Sequence, residues 1–197
     1  MSGFLPLSLK IVIPVKPFTE AKLRLSPVMD AEARAKLARQ LFLHVFATIR
    51  SFAETRDVIV VSRAPEILAL AATDGAVALE ETSAPDLNAA LEQAARFARD
   101  AGAMRLLVVA SDLPLLSSAD VEAMTRNDCA IAPDRHRRGT NALLWPANPL
   151  LGFFFGEDSF AHHKAAARAI GFDPRIVSRP GLAHDVDMPE DLADLSR

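Results

Sequence analysis

A single cysteine, Cys129, stands in a chain of 197 residues. An internal disulfide is therefore excluded, as is a metal cage of thiolates, and the composition suits a reducing compartment. Charge of one sign is equally scarce: 22 basic against 25 acidic residues leave a formal net charge of −3. No broad positive field exists to draw in nucleic acid or an anionic membrane, so neither is an expected partner. Any anionic ligand must be met by local basic clusters. No apolar run reaches the roughly 18–20 residues of a spanning helix. The opening MSGFLPLSLKIVIPVK lacks a basic region followed by a long apolar stretch. These features predict a cytoplasmic protein without a signal peptide. No internal repeat or low-complexity linker appears, and the length suits one domain over 1–197.

Half of the residues are hydrophobic, enough for a substantial core. Residues 9–15 (LKIVIPV) form a short β-branched run that reads as a buried strand. From Asp30 to about Phe52, Leu37, Leu41, Phe42, Val45, Phe46 and Ile49 recur at helical steps, with Asp30 placed to cap. Strands are predicted at 57–62, 76–80 and 104–110, and helices near 65–73 and 86–101. Ser117 opens another helix, with Asp120 at the capping-box position. Strands alternating with helices predict an α/β fold: a mostly parallel sheet flanked by helices, with ligands at the carboxyl ends of the strands. Beyond Arg126 the rhythm changes. CAIAPD, NALLWP and LLGFFFG read as short strands, followed by a helix near 158–170 and a strand at PRIVS. Residues 127–160 are expected to form a substrate-binding insertion.

The stretch VVASDLPLLS carries a buried run directly into Asp112, where such sheets place their ligands. HDVDMPEDL puts Asp185 and Asp187 at the end of another short apolar segment. Carboxylates from two strand ends can converge on one hard cation, and Mg²⁺ favours one or two carboxylates plus water and phosphate oxygens. Capping roles compete. Asp187 suits an N-cap with Glu190 three residues on, and Asp112 could bond loop amides ahead of Pro114.

The loop after the first strand holds Lys16, Lys22 and Arg24 but no glycine, so it is neither G-x-G-x-x-G nor a P-loop. Side-chain cations would replace the amide cradle that glycines usually permit; a solvated basic loop is the plain alternative. APDRHRRGTNALL offers Arg135, Arg137, Arg138, Gly139, Thr140 and Asn141 to an anion. In FFFGEDSF, Gly156 and Ser159 enter a helix whose N-terminus could hold an anion, or which Ser159 simply caps. His162 and His163 follow one another on that helix and read as surface or rim residues. No nucleophile triad is legible. Cys129 reads as a small buried hydrophobe, and Phe153 to Phe155 as core or interface rather than a stacking platform.

Taken in order, IPVKPFTEAKLRLS, DLPLL, APDRHRRGTNALL, FGEDSFAHH and HDVDMPEDL resemble the CofC/FbiD family of guanylyltransferases across nearly the whole chain. The resemblance implies a GT-A-like nucleotidyltransferase fold, also known as the nucleotide-diphospho-sugar transferase fold. The implied reaction is transfer of GMP from GTP to 2-phospho-L-lactate, phosphoenolpyruvate or 3-phosphoglycerate, with release of pyrophosphate, in coenzyme F420 biosynthesis. It further implies Mg²⁺ on Asp112 and Asp187, with Asp185 as the alternative ligand. Lys16, Lys22 and Arg24 would clamp the GTP phosphates. Asn88, in an LNAA segment, would lie near the nucleotide, or else serve its helix start. Thr140, Gly156 and Ser159 would bind the phospho-acid, with Asn141 beside them. One departure stands out: the chain reads RRGTN where the family carries GTGTN, so Arg137 and Arg138 could suit a differently placed phosphate or carboxylate. Another GT-A nucleotidyltransferase, such as a molybdenum-cofactor cytidylyl- or guanylyltransferase, is the near alternative. A catalytically silent nucleotide-binding protein is the remote one. A homo-oligomer is left open.

Overall fold

A computed structural model describes residues 8–82, 85–149 and 151–194. Among the described residues seven strands form one sheet: β1 (Leu9–Pro14), β2 (Val58–Ser62), β3 (Val77–Glu80), β4 (Arg105–Val109), β5 (Ala130–Pro133), β6 (Thr140–Pro146) and β7 (Arg175–Ile176). Their order is β3-β2-β1-β4-β6-β5-β7. β1 to β4 pair in parallel, β6 runs antiparallel to both β4 and β5, and β7 is parallel to β5. One reversed strand in a seven-stranded sheet satisfies the mostly parallel expectation.

The helices are α1 (Ala31–Phe52), α2 (Pro65–Thr73), α3 (Leu87–Asp100), α4 (Ser118–Thr125), α5 (Ser159–Ala169) and the short α6 (Pro180–Ala183) and α7 (Pro189–Asp194). Alternation along the strands divides the core in two. Ile11, Ile13, Leu107 and Leu144 face one side, where α1 contributes Phe42, Val45 and Ile49, and α4 contributes Val121 and Met124. Val12, Leu106, Val108, Leu143 and Trp145 face the other, against Leu91, Ala94 and Ala98 of α3 and Phe160 and Ala167 of α5. Burial on both faces explains why β1 and β2 read as continuous apolar runs rather than alternating ones.

The caps expected at Asp30 and Ser117 form, and Asp86 supplies a further one. Asp30 and Asp86 each accept a hydrogen bond from the backbone N–H three residues on, at 2.8 and 3.0 Å. Ser117 and Asp120 close a capping box. One segment differs from the expected strand. Leu150 lies outside the described residues, and from Leu151 to Phe155 the chain is irregular, not a strand. Its backbone finds side-chain partners instead, as shown below.

Candidate active site

Strand order reverses between β1 and β4, and the crevice at such a point is where an open α/β sheet binds ligands. A cleft of about 830 Å³ opens there. Its walls include Val15 and Lys16 after β1, Lys22 and Arg24 in the following loop, and Ser111 and Asp112 after β4. Thr140, Asn141, Phe155, Asp185 and Asp187 complete the far side. This volume falls within the range of small-molecule sites.

The carboxylates converge as expected, but by a different route. Asp187 does not end a strand; it lies in the loop between α6 and α7. Backbone bonding from Val186 N to Asp112 O, at 3.4 Å, lays that loop beside the end of β4. Nor does Asp187 act as the cap. Asp191 accepts from the Asp187 and Met188 amides at 2.7 and 2.6 Å, so Asp191 takes the role expected of Glu190. The Asp187 carboxylate is thereby left to the cleft. Asn141 holds the third carboxylate, donating to Asp185 Oδ1 at 3.2 Å and to Leu182 O at 3.0 Å. Burial, then the charges of Asp112 and Asp187, push the Asp185 carboxyl above the usual range, opposed by its hydrogen bonds.

Lys22 joins two of these groups. Its ammonium donates to Asp112 Oδ2 and lies 3.3 Å from Asp187 Oδ1. Arg24 Nη1 reaches Asp187 Oδ2 at 3.0 Å. With its side chain only 6% exposed, Lys22 pays a desolvation cost that lowers its pKa, but the two carboxylates outweigh it and the net shift is upward. The ammonium stays charged. Lys16 is exposed on the cleft wall and has no ion-pair partner among the described residues.

Not every expected site residue lines the cleft. Asn88 uses both ends of its amide on one backbone unit: Oδ1 accepts from Phe155 N at 2.7 Å and Nδ2 donates to Phe155 O at 3.1 Å. It therefore positions the Phe155 wall, and the nucleotide role is not what its present partners support. Gly156 and Ser159 are absent from the lining, and Ser159 N donates to Gly156 O at 3.3 Å. Ser159 is the first residue of α5, with Asp158 at the cap position. Arg138 pairs with Glu157 and Asp158, while Arg137 stacks over Phe160 at 5.2 Å. The two arginines that depart from the family motif thus spend their charge away from the cleft.

His163 is not the surface or rim residue expected. It is fully buried, whereas His162 is exposed. Residues one apart on a helix point in different directions, and that rule alone could not say which one faced inward. Cys129 is buried and its thiol is pushed up to about 11 by desolvation and then by Asp128, in keeping with a structural role.

Whether these residues suit a divalent cation can be judged from Lys22. A single cationic nitrogen already bridges Asp112 and Asp187, so the two carboxylates converge on one point, and the donors are hard oxygens. Among the described residues no three acidic or imidazole groups form a ready coordination sphere. Mg²⁺ can be held by one or two carboxylates, with water and substrate phosphate in the rest of its shell. The residues fit.

The fold and site define a nucleotidyltransferase-type protein, and solved structures agree on the fold. A Desulfovibrio desulfuricans G20 protein assigned to the nucleotide-diphospho-sugar transferases superposes with a TM-score of 0.80 at 19% identity, covering 96% of this chain and 87% of its own. A nucleotidyl transferase from Methanothermobacter thermautotroptrophicus gives 0.63 at 14% identity, covering 95% of each chain. The sequence goes further than the fold. Residues 9–196 match the family "Guanylyl transferase CofC like", and the chain belongs to it. A phosphoenolpyruvate guanylyltransferase of Rubrobacter xylanophilus is 42% identical over 96% of this chain and 94% of its own length. That of Chloroflexus aggregans is 39% identical over 92% and 94%.

Proposed function

We propose that this protein transfers GMP from GTP to phosphoenolpyruvate with release of pyrophosphate, as a step of coenzyme F420 biosynthesis. The observation that carries the reading is the meeting of Asp112 and Asp187 at one cationic point, inside a cleft lined by Lys16 and Arg24. Phosphoenolpyruvate is favoured over other phospho-acids for two reasons: the full-length relatives carry that name, and the extra arginines Arg137 and Arg138 do not reach the cleft.

In this reading a phosphate oxygen of the acceptor attacks the α-phosphorus of GTP. A new P–O bond forms, the bond to the β-phosphate bridge breaks, and pyrophosphate leaves with its electron pair. The attacking phosphate is already an anion near neutral pH, so no side chain need remove a proton. The obstacle is bringing two polyanions together. Lys16 and Arg24 meet the triphosphate from the glycine-free loop, and Lys22 keeps the two carboxylates together by screening their repulsion. Asp112 and Asp187 would hold Mg²⁺, with Asp185 beside them. When bound, the ion neutralises charge on phosphate oxygens as a Lewis acid.

The test is a pyrophosphate-release assay with Mg²⁺, either GTP or CTP, and in turn phosphoenolpyruvate, 2-phospho-L-lactate and 3-phosphoglycerate. Turnover with GTP and phosphoenolpyruvate is expected. Activity with CTP alone would favour the cytidylyltransferase alternative, and no turnover with any pair would reject the enzymatic reading.

A further inference from the structure

His163 is the fifth residue of α5 and has no exposed surface. Its ring meets Phe155, Phe154 and Trp145 edge-on, with centroids 4.8, 5.9 and 6.0 Å away. Besides a hydrogen bond to the Ser159 backbone, the ring has two polar contacts that decide its chemistry. Nε2 lies 3.0 Å from Phe154 N, and a backbone amide can only donate. Nε2 must therefore be the bare, accepting nitrogen. In a neutral imidazole the hydrogen then sits on Nδ1, which lies 3.0 Å from Thr140 Oγ1. An imidazolium would set a second hydrogen against the Phe154 amide. Burial acts in the same direction: desolvation first, and the neighbouring His162 second, lower the pKa of His163 to about 4 against a smaller upward pull from its hydrogen bond to the Ser159 backbone.

The assignment passes through to Thr140. This residue begins β6, is 6% exposed and lines the cleft. Its hydroxyl oxygen accepts from His163, and no other partner of that hydroxyl exists among the described residues. The hydroxyl's own hydrogen is left over. A hydroxyl whose accepting side is occupied serves a ligand best as a donor, which suits an anion and disfavours an ammonium or amide at the same place.

We propose that His163 is a positioning residue: through Nδ1–H it makes Thr140 a dedicated hydrogen-bond donor to the anionic acceptor, and through Nε2 it fixes the backbone leading to Phe155. Nothing in the chemistry of α5 requires a histidine for packing alone, since an apolar ring would fill the same space. What an apolar ring lacks is a donor on one edge and an acceptor on the other. The proposal rests on the guanylyltransferase reading for the identity of the acceptor.

Two substitutions separate the two edges. His163→Gln can keep an acceptor for Phe154 N but has no group at the Nδ1 position; His163→Asn can keep a donor to Thr140 but has none at Nε2. With GTP and phosphoenolpyruvate, His163→Gln is expected to raise KM for the acceptor about tenfold, while KM for GTP stays within about twofold. His163→Asn is expected to retain acceptor KM within about threefold of the wild type. Adding His163→Gln to Thr140→Val should raise acceptor KM no further, because the hydroxyl it acts through is already gone. Equal changes in both KM values, or losses that multiply in the double variant, would overturn the proposal. A measurement on the unaltered protein guards against variants that fail to fold. Long-range ¹H–¹⁵N correlation at pH 7 should show His163 as the neutral Nδ1–H tautomer. An Nε2–H tautomer or an imidazolium would sink it. Absent turnover by the wild type would instead strike the enzymatic reading, leaving the tautomer to decide whether Thr140 receives this hydrogen bond.

Discussion

Lys22 is the residue on which the cleft's charge turns. It adopts a left-handed backbone, φ +57°, without being glycine, a conformation that costs an L residue roughly 1 kcal/mol. Its ammonium then settles between Asp112 and Asp187 at 6% side-chain exposure, where losing either partner would leave a buried charge uncompensated. Asp112→Asn removes one of the two converging carboxylates at almost constant volume. Pyrophosphate release is expected to fall by about two orders of magnitude or more, with the fold retained by circular dichroism. Undiminished activity would reject the role given to Asp112. His163 makes a prediction of a different kind. The unfolded chain takes up a proton near pH 6.5 that the folded ring refuses down to about 4. Between those values the unfolded state binds more protons, so stability rises with pH. Lowering the pH from 6.5 toward 4 should remove up to about 3 kcal/mol through this one group. Urea titrations of wild type and His163→Gln across that window should show a shallower slope for the variant; identical slopes would contradict the buried neutral ring.

Among the elements, the irregular segment 151–155 differs most from expectation, and its polar partners explain it. A strand needs a neighbour to take its N–H and C=O groups. Here Asn88, at the start of α3, takes both groups of Phe155, and His163 of α5 takes the Phe154 amide. Two helices thus hold the segment by side chains in place of a ladder, and Phe155 is presented to the cleft. Asn88→Ala deletes two hydrogen bonds at once. Amide exchange over residues 151–157 should accelerate by roughly tenfold or more, read by mass spectrometry. Unchanged exchange would mean that Asn88 does not hold this wall.

For the whole molecule, the cleft depends on the sheet lying between two separate cores, with α1, α2 and α4 on one face and α3 and α5 on the other. Binding between the ends of β1 and β4 should therefore stabilise the entire domain by mass action. Ligand at one hundred times its dissociation constant adds about 2.7 kcal/mol, which for a domain of this size is a rise of roughly 5–10 °C in Tm. That rise is expected for GTP with Mg²⁺ and should shrink markedly when EDTA replaces the metal. Equal shifts with and without Mg²⁺, followed by differential scanning fluorimetry, would contradict a metal held by Asp112 and Asp187.

Local pattern was enough for the α/β layering, the caps at Asp30 and Ser117, and the placing of Asp112 at a strand end. Each depends on residues within a few positions of one another, where periodicity and side-chain-to-backbone bonding leave their mark on the chain. The family motifs added Asp187 and Lys22 as members of one site. Tertiary structure alone decided what those residues touch. That Lys22 bridges two carboxylates 90 and 165 positions away and that Asn88 clasps Phe155 are contacts between distant segments. The same holds for His163, whose place beside Thr140 follows from how α5 is seated on β6. A polar side chain announces that it needs a partner; only the folded chain, by burying some of these groups and bringing their counterparts within 3 Å, determines which partner it gets.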